Sequence, residues 1–162
     1  MSQRGSGASG GIRPHVLIVS DDPDLAGFLT EGLTMGGLWT SVVASPFQAL
    51  EVFRLRTFDA VLLDAAIGGF GAVELLRRLR GASDRAAAGQ PRADVPVFVI
   101  AGAAGEIAPS DASEAGSDGL FVAPLELDDL AQSLFSSILD WRAANPDRPW
   151  ADEASLAAGN RD

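Results

Sequence analysis

FDAVLLDAAIGGFGAVELLRRLR, residues 58–80, changes its apolar period part-way along. Ala60-Val61-Leu62-Leu63 is a short unbroken apolar run that stops at Asp64, as a strand buried on both faces requires. Gly68-Gly69-Phe70-Gly71 then reads as a loop. Val73, Leu75, Leu76 and Leu79 recur at helical spacing, with Arg77, Arg78 and Arg80 expected on the solvated side. Strand, loop and amphipathic helix in that order make one βα unit.

The same unit recurs on either side. Val16-Leu17-Ile18-Val19 is a buried parallel strand by the same reasoning, and Asp22-Pro23-Asp24 follows with helix-start chemistry. Leu25, Phe28, Leu29, Gly32 and Leu33 continue that helix, and Gly36-Gly37 ends it. Trp39 to Ala44 is a second strand. Ser45-Pro46 opens a second helix with the stripe Phe47, Leu50, Phe53 and Leu55. After the third unit, residues 81–94 are longer than the usual helix-to-strand connection of about 2–6 residues, and we expect an exposed, mobile insertion. Val95 to Ile100 is the fourth strand, and a short helix is placed within Pro109 to Ala115. Leu120-Phe121-Val122 is the fifth strand, and Glu126 to about Arg142 is the last helix. Five βα cycles predict an α/β fold with a doubly wound five-stranded parallel sheet of flavodoxin-like order, 2-1-3-4-5.

That places one domain at 14–142, preceded by a flexible Gly/Ser leader at 1–13. A flexible or loosely docked tail follows at 143–162, where Trp150 is a candidate anchor; Trp141 serves equally as helix-end packing. A chain of 162 residues suffices for one such core. The formal charge of −10 argues against general affinity for nucleic-acid backbones. With no cysteine and His15 the single histidine, disulfides, thiolate metal sites and most His-based catalysis are excluded. His15 itself precedes the first strand and is expected at the surface. No apolar run approaches the roughly 20 residues that span a bilayer, and residues 1–11 lack a secretory apolar core, so the expected location is the cytoplasm.

In doubly wound sheets functional groups gather beyond the carboxyl ends of the strands. There stand Ser20, Asp21 and Asp22 after strand one, Asp64 after strand three, Ala101 and Gly102 after strand four, and Ala123 and Pro124 after strand five. Carboxylates from adjacent strands make a hard oxygen site suited to Mg²⁺. Asp22 is better explained as a helix cap than as a ligand.

Residues 15–141 resemble the receiver domain of two-component response regulators. The resemblance lies in VLIVSDDPDL, FQALEVF, FDAVLLDAAIGGFGAVELLRRLR, VPVFVIAG and SDGLFVAPLELDDL, taken in order. It implies that Asp64 is the phospho-acceptor, with a histidine kinase or phosphotransfer protein as donor. It also implies Mg²⁺ held by Asp21, Asp64 and the carbonyl of Ala66, and a cis peptide before Pro124.

The departures from the family pattern are as informative. The family's first acid after strand one is Ser20, which weakens the expected Mg²⁺ site; Asp21 and Asp22 complete the acidic pocket. The phosphate-binding hydroxyl is Ala101, the lysine before Pro124 is Ala123, the switch aromatic is Leu120, and the Met-Pro after the aspartate is Ile67-Gly68. A charged hydrogen bond is worth roughly 1.5–3 kcal/mol and a neutral one about 1. Full switching takes about 5.5 kcal/mol of differential binding. The two missing partners therefore remove about half of it. The resulting expectation is a non-enzymatic, stand-alone receiver with a degraded switch, whose output passes to a protein partner or a homodimer through the strand-five and helix-five side. The competing expectation is a phosphorylation-independent scaffold.

Overall fold

The computed structural model describes residues 13–84, 92–148 and 150–151. Its elements are β1 (His15–Val19), α1 (Pro23–Met35), β2 (Trp39–Val43), α2 (Pro46–Leu55) and β3 (Ala60–Asp64), followed by α3 (Ala72–Leu79), β4 (Val97–Ala101), α4 (Pro109–Ala115), β5 (Gly119–Val122) and α5 (Leu127–Ala144). One parallel sheet runs β2-β1-β3-β4-β5, the order expected from the five cycles.

Alternation along each strand divides the core in two. Leu17, Val19, Val61, Leu63, Val97 and Val99 face α2, α3 and α4, where Leu50, Leu75, Leu76, Leu79 and Ala112 cover them. Val16, Ile18, Leu62, Phe98 and Ile100 face α1 and α5, where Leu29, Leu33, Leu130, Leu134 and Ile138 cover them. The three inner strands are buried at every position, and the edge strands β2 and β5 are partly exposed. Where α5 lies against α1, a Cβ on Gly32 would stand 2.2 Å from Leu127 Cδ1, so glycine is what allows that approach.

Four local expectations need correction. His15 is not a surface residue: as the first residue of β1 it is fully buried. Its ring stacks on Trp39 with centroids 3.6 Å apart, and its Nε2 lies 2.8 Å from Ser41 Oγ. Arg80 is not on the solvated side of α3. Its guanidinium donates to Ala93 O and Val95 O at 2.8 Å, to Gly116 O at 3.0 Å and to Asp118 Oδ2 at 3.0 Å. A cation at the end of a helix whose neighbours expose three carbonyls is better used as a clamp than as a solvated charge. On α2 the stripe is rotated: Pro46, Ala49 and Leu50 are buried, while Phe47 and Leu55 are 64% and 71% exposed. α1 presents Phe28 outward for the same reason, with Ala26 buried instead.

Of the expected insertion, residues 85–91 lie outside the described residues, as do leader residues 1–12 and tail residues 149 and 152–162. The described part of the tail packs on the domain. Trp150 joins the α1/α5 side of the core, the Arg142 guanidinium lies 4.2 Å above its ring, and Ala151 is buried. Arg148 pairs with Asp94 at 2.7 Å. No helix among the described residues is long and apolar enough to cross a membrane.

Candidate functional site

The sheet order reverses between β1 and β3: the chain leaves β1 into α1 on one face and reaches β3 from α2 on the other. The strand ends are splayed there, and a crevice opens. It encloses about 440 Å³. Asp21, Asp22, Asp24, Asp64 and Glu106 supply its acids, and Leu25, Phe28, Ile100, Ala101, Ala123 and Leu125 supply an apolar wall. Asp21 and Asp64 thus open into one hollow, with Ala66, Ala101 and Ala123 on the same lining.

Each side chain is placed by its local backbone. Asp64 is the last residue of β3 and is only 6% exposed. Its Oδ1 accepts the Ala66 amide at 2.9 Å, and its Oδ2 accepts the Ser20 hydroxyl at 2.7 Å. Ser20, directly after β1, is itself 3% exposed and accepts the Asp22 amide at 3.1 Å. Asp21 Oδ2 accepts the Gly68 amide at 3.2 Å, which ties the β1 exit to the loop after Asp64. That loop is braced from outside: Phe47 meets Phe70 edge-on at 4.9 Å, and Arg78 lies 4.1 Å above the Phe70 ring.

Asp22 caps α1, its Oδ1 accepting the amides of Asp24 and Leu25 at 3.0 and 3.4 Å. Its carboxylate is thereby committed to the free N–H groups of the first turn. Across the crevice, Glu106 Oε1 accepts the Gly102 amide at 2.7 Å, so a carboxylate sits at the β4 exit where Ala101 provides no polar group. The peptide between Ala123 and Pro124 is cis. Leu120 is half-buried against the α2/α3/α4 side of the core.

Two of these features escaped the sequence reading. The bond from Ser20 to Asp64 joins residues 44 apart, and an isolated serine carries no signal of its target. Glu106 lies in a loop of small residues with no periodicity, so nothing in AGAAGEIAP singles it out.

The family model of the response regulator receiver domain matches residues 16–135. The chain belongs to the response regulator receiver family. Among curated relatives it is 39% identical over 72 residues to the DNA-binding response regulator MtrA of Mycolicibacterium smegmatis, covering 44% of this chain and 32% of that one. It is 29% identical over 128 residues to the transcriptional regulatory protein TcrA of Mycobacterium tuberculosis, covering 78% of this chain and 46% of that one. The chain therefore spans less than half the length of these two relatives. Among solved structures, the receiver domain of the Francisella response regulator 1452 superposes with a TM-score of 0.67 at 20% identity. That match covers 79% of this chain and 98% of the other, and it speaks for the fold alone. A sensor protein from Polaromonas superposes with a TM-score of 0.65 at 28% identity, covering 80% and 98%.

Receiver domains commonly bind Mg²⁺ at the phosphorylation site, and the residues of this crevice can be tested against that ion. Mg²⁺ takes six oxygens in near-octahedral geometry and sheds water reluctantly, so it needs carboxylates free to reach it. Here the position of the first acid carries a neutral hydroxyl, and that hydroxyl is bonded to Asp64 Oδ2. Asp21 is engaged by Gly68, and no three His, Cys, Asp or Glu side chains among the described residues are grouped to hold a metal. Two carboxylates, Asp21 and Asp64, would remain to hold Mg²⁺ with water completing its shell, and each already accepts a hydrogen bond, so the set is a weak one for that ion.

Proposed function

We propose that this chain is a receiver module of a phosphorelay in which Asp64 holds the phospho-acceptor position and output passes by protein contact rather than by a phosphate-driven switch. The observation that carries the reading is the place of Asp64. It ends the central strand β3 and opens into the switch-point crevice, beside the small side chains Ala101 and Ala123. A carboxylate there is positioned as a nucleophile toward phosphorus. The two alanines supply neither the hydroxyl nor the cation that would bind phosphoryl oxygens and transmit the event to β5. The donor would be a histidine kinase or phosphotransfer protein. The receiving surface for a partner or a second copy would lie along β5 and α5, where Val122 and Leu139 are exposed.

The engagement of Asp64 by Ser20 and Ala66 favours a second reading, a phosphorylation-independent scaffold. Incubation with acetyl phosphate, read by intact mass and by amide chemical shifts, separates the two. A +80 Da adduct lost in Asp64→Asn, with shifts confined to the 64–70 loop, is the outcome expected here. No adduct at all supports the scaffold, and shifts that reach β5 sink the decoupled switch.

A further inference from the structure

We propose that the Ser20 hydroxyl is a built-in competitor of the divalent cation at this site: it holds Asp64 Oδ2, and while it does so the crevice binds Mg²⁺ more weakly than it would without the hydroxyl. The inference rests on Asp64 being the acceptor position.

The hydrogen-bond geometry around Ser20 is directional. A serine hydroxyl has one hydrogen to give and lone pairs to receive. The Asp22 amide, at 3.1 Å, occupies the receiving side, which turns the hydrogen toward Asp64 Oδ2 at 2.7 Å. The distance is that of a short, charge-assisted bond. Both groups are nearly fully buried, so little water competes for the bond. The second oxygen of Asp64 is held by the Ala66 amide, so both ends of the carboxylate already rest on protein donors. In this position an acid would leave Asp64 Oδ2 repelled and in need of a cation. A serine satisfies that oxygen without one.

The consequence is competition. The Ser20 hydrogen fills one of the lone-pair directions of Asp64 Oδ2. An ion at that oxygen must share it with the hydroxyl or turn Ser20 away, and it gains no third carboxylate in return. Small side chains at Ala101 and Ala123 leave space beside Asp64, so what limits metal entry is the occupied oxygen rather than lack of room. Asp22, at the neighbouring position, gives one of its two oxygens to the α1 amides.

The test is a Mn²⁺ titration of the full ¹⁵N-labelled chain, following paramagnetic broadening of the amides of residues 21, 64 and 66. The wild type is compared with Ser20→Ala, Ser20→Thr and Ser20→Asp. Removing the hydroxyl frees Asp64 Oδ2, so Ser20→Ala should broaden these amides at a concentration about tenfold below that needed by the wild type, the factor that corresponds to one lost charged hydrogen bond. Ser20→Thr, which keeps the hydroxyl, should follow the wild type. Ser20→Asp should bind tightest, and its melting temperature should rise with Mg²⁺ and fall in EDTA while that of the wild type stays level. If Ser20→Asp does not fold, the comparison of Ala with Thr decides the matter. A wild type that binds Mn²⁺ as readily as Ser20→Ala overturns the proposal. The acetyl phosphate adduct tests the acceptor role separately: its absence removes that role and leaves the order of metal affinities among the Ser20 variants intact.

Discussion

The Asp59 carboxylate reaches the amide of Ala151, 92 residues further along the chain, at 3.2 Å. Its other oxygen accepts the His15 amide at 2.8 Å, so one buried side chain joins the start of β1 to the segment beyond α5. A buried acceptor with two backbone donors cannot be removed without orphaning both amides. Asp59→Ala should lower unfolding stability by about 2–4 kcal/mol, the cost of leaving buried donors unsatisfied. Urea denaturation at pH 7 checks this. A loss of only about 1 kcal/mol, what the His15 amide alone would cost, would mean that the C-terminal segment does not dock in solution.

A second prediction concerns His15 at the same end of the sheet. Burial, helped by the positive charge of Arg56, lowers its pKa from 6.5 to about 4. Among the described residues Nδ1 has no hydrogen-bond partner, and Nε2 is spent on Ser41, so a second ring proton would sit against Trp39 and Phe58 with none of them to accept it. The unfolded chain then binds the proton more readily than the folded one between pH 6.5 and 4. Stability is undiminished above pH 6.5 and falls as pH drops through that window, by up to about 3 kcal/mol from this group alone. His15→Phe should flatten that part of the profile. Denaturant midpoints at pH 7, 5.5 and 4.5 measure the difference, and parallel slopes for the two proteins would refute it.

Gly32 gives a prediction whose sign is contested. In an exposed helix, glycine to alanine gains up to about 1 kcal/mol. Here the added methyl would meet Leu127 Cδ1, Cδ2 and Cγ at 2.2–2.9 Å, so the Leu127 side chain must shift against its neighbours. Overpacking of this kind costs about 1–3 kcal/mol. The net for Gly32→Ala is a loss of about 1–2 kcal/mol, and Leu127→Ala in the same chain should recover most of it. Thermal melts of the single and double variants decide.

These examples mark how far the sequence could be read. Ala60–Asp64 and the runs like it place the sheet and its order, because an unbroken apolar strand must be buried on both faces and parallel strands need helices between them. The strand ends followed from that, which is how Asp21, Asp64, Ala101 and Ala123 could be assigned to one crevice. What stayed illegible depends on partners distant in sequence. His15 looked like a surface residue because its fate is set by Trp39, Ser41 and Asp59. Arg80 looked solvated because its four acceptors come from residues 93, 95, 116 and 118. Ser20 looked like a mere loss of an acid, although it donates to Asp64.

The last prediction reverses the two alanines. Ala123 and Ala101 line the same hollow as Asp64, at the exits of β5 and β4. A lysine at 123 would place a cation among the carboxylates of Asp21, Asp64 and Glu106, and a threonine at 101 would add a hydroxyl at the buried end of β4. One charged and one neutral hydrogen bond together supply about 2.5–4 kcal/mol toward an anion held at Asp64. That is a large part of the roughly 5.5 kcal/mol that full switching needs. Ala101→Thr/Ala123→Lys should bind beryllofluoride at least about tenfold more tightly than the wild type. Its amide shifts should extend from the 64–70 loop into Gly119–Val122, whereas those of the wild type stay local. Titration with and without Mg²⁺, each followed by NMR, separates this gain from the effect of Ser20. If the double variant responds like the wild type in both, the absence of a lysine and a hydroxyl is not what silences β5.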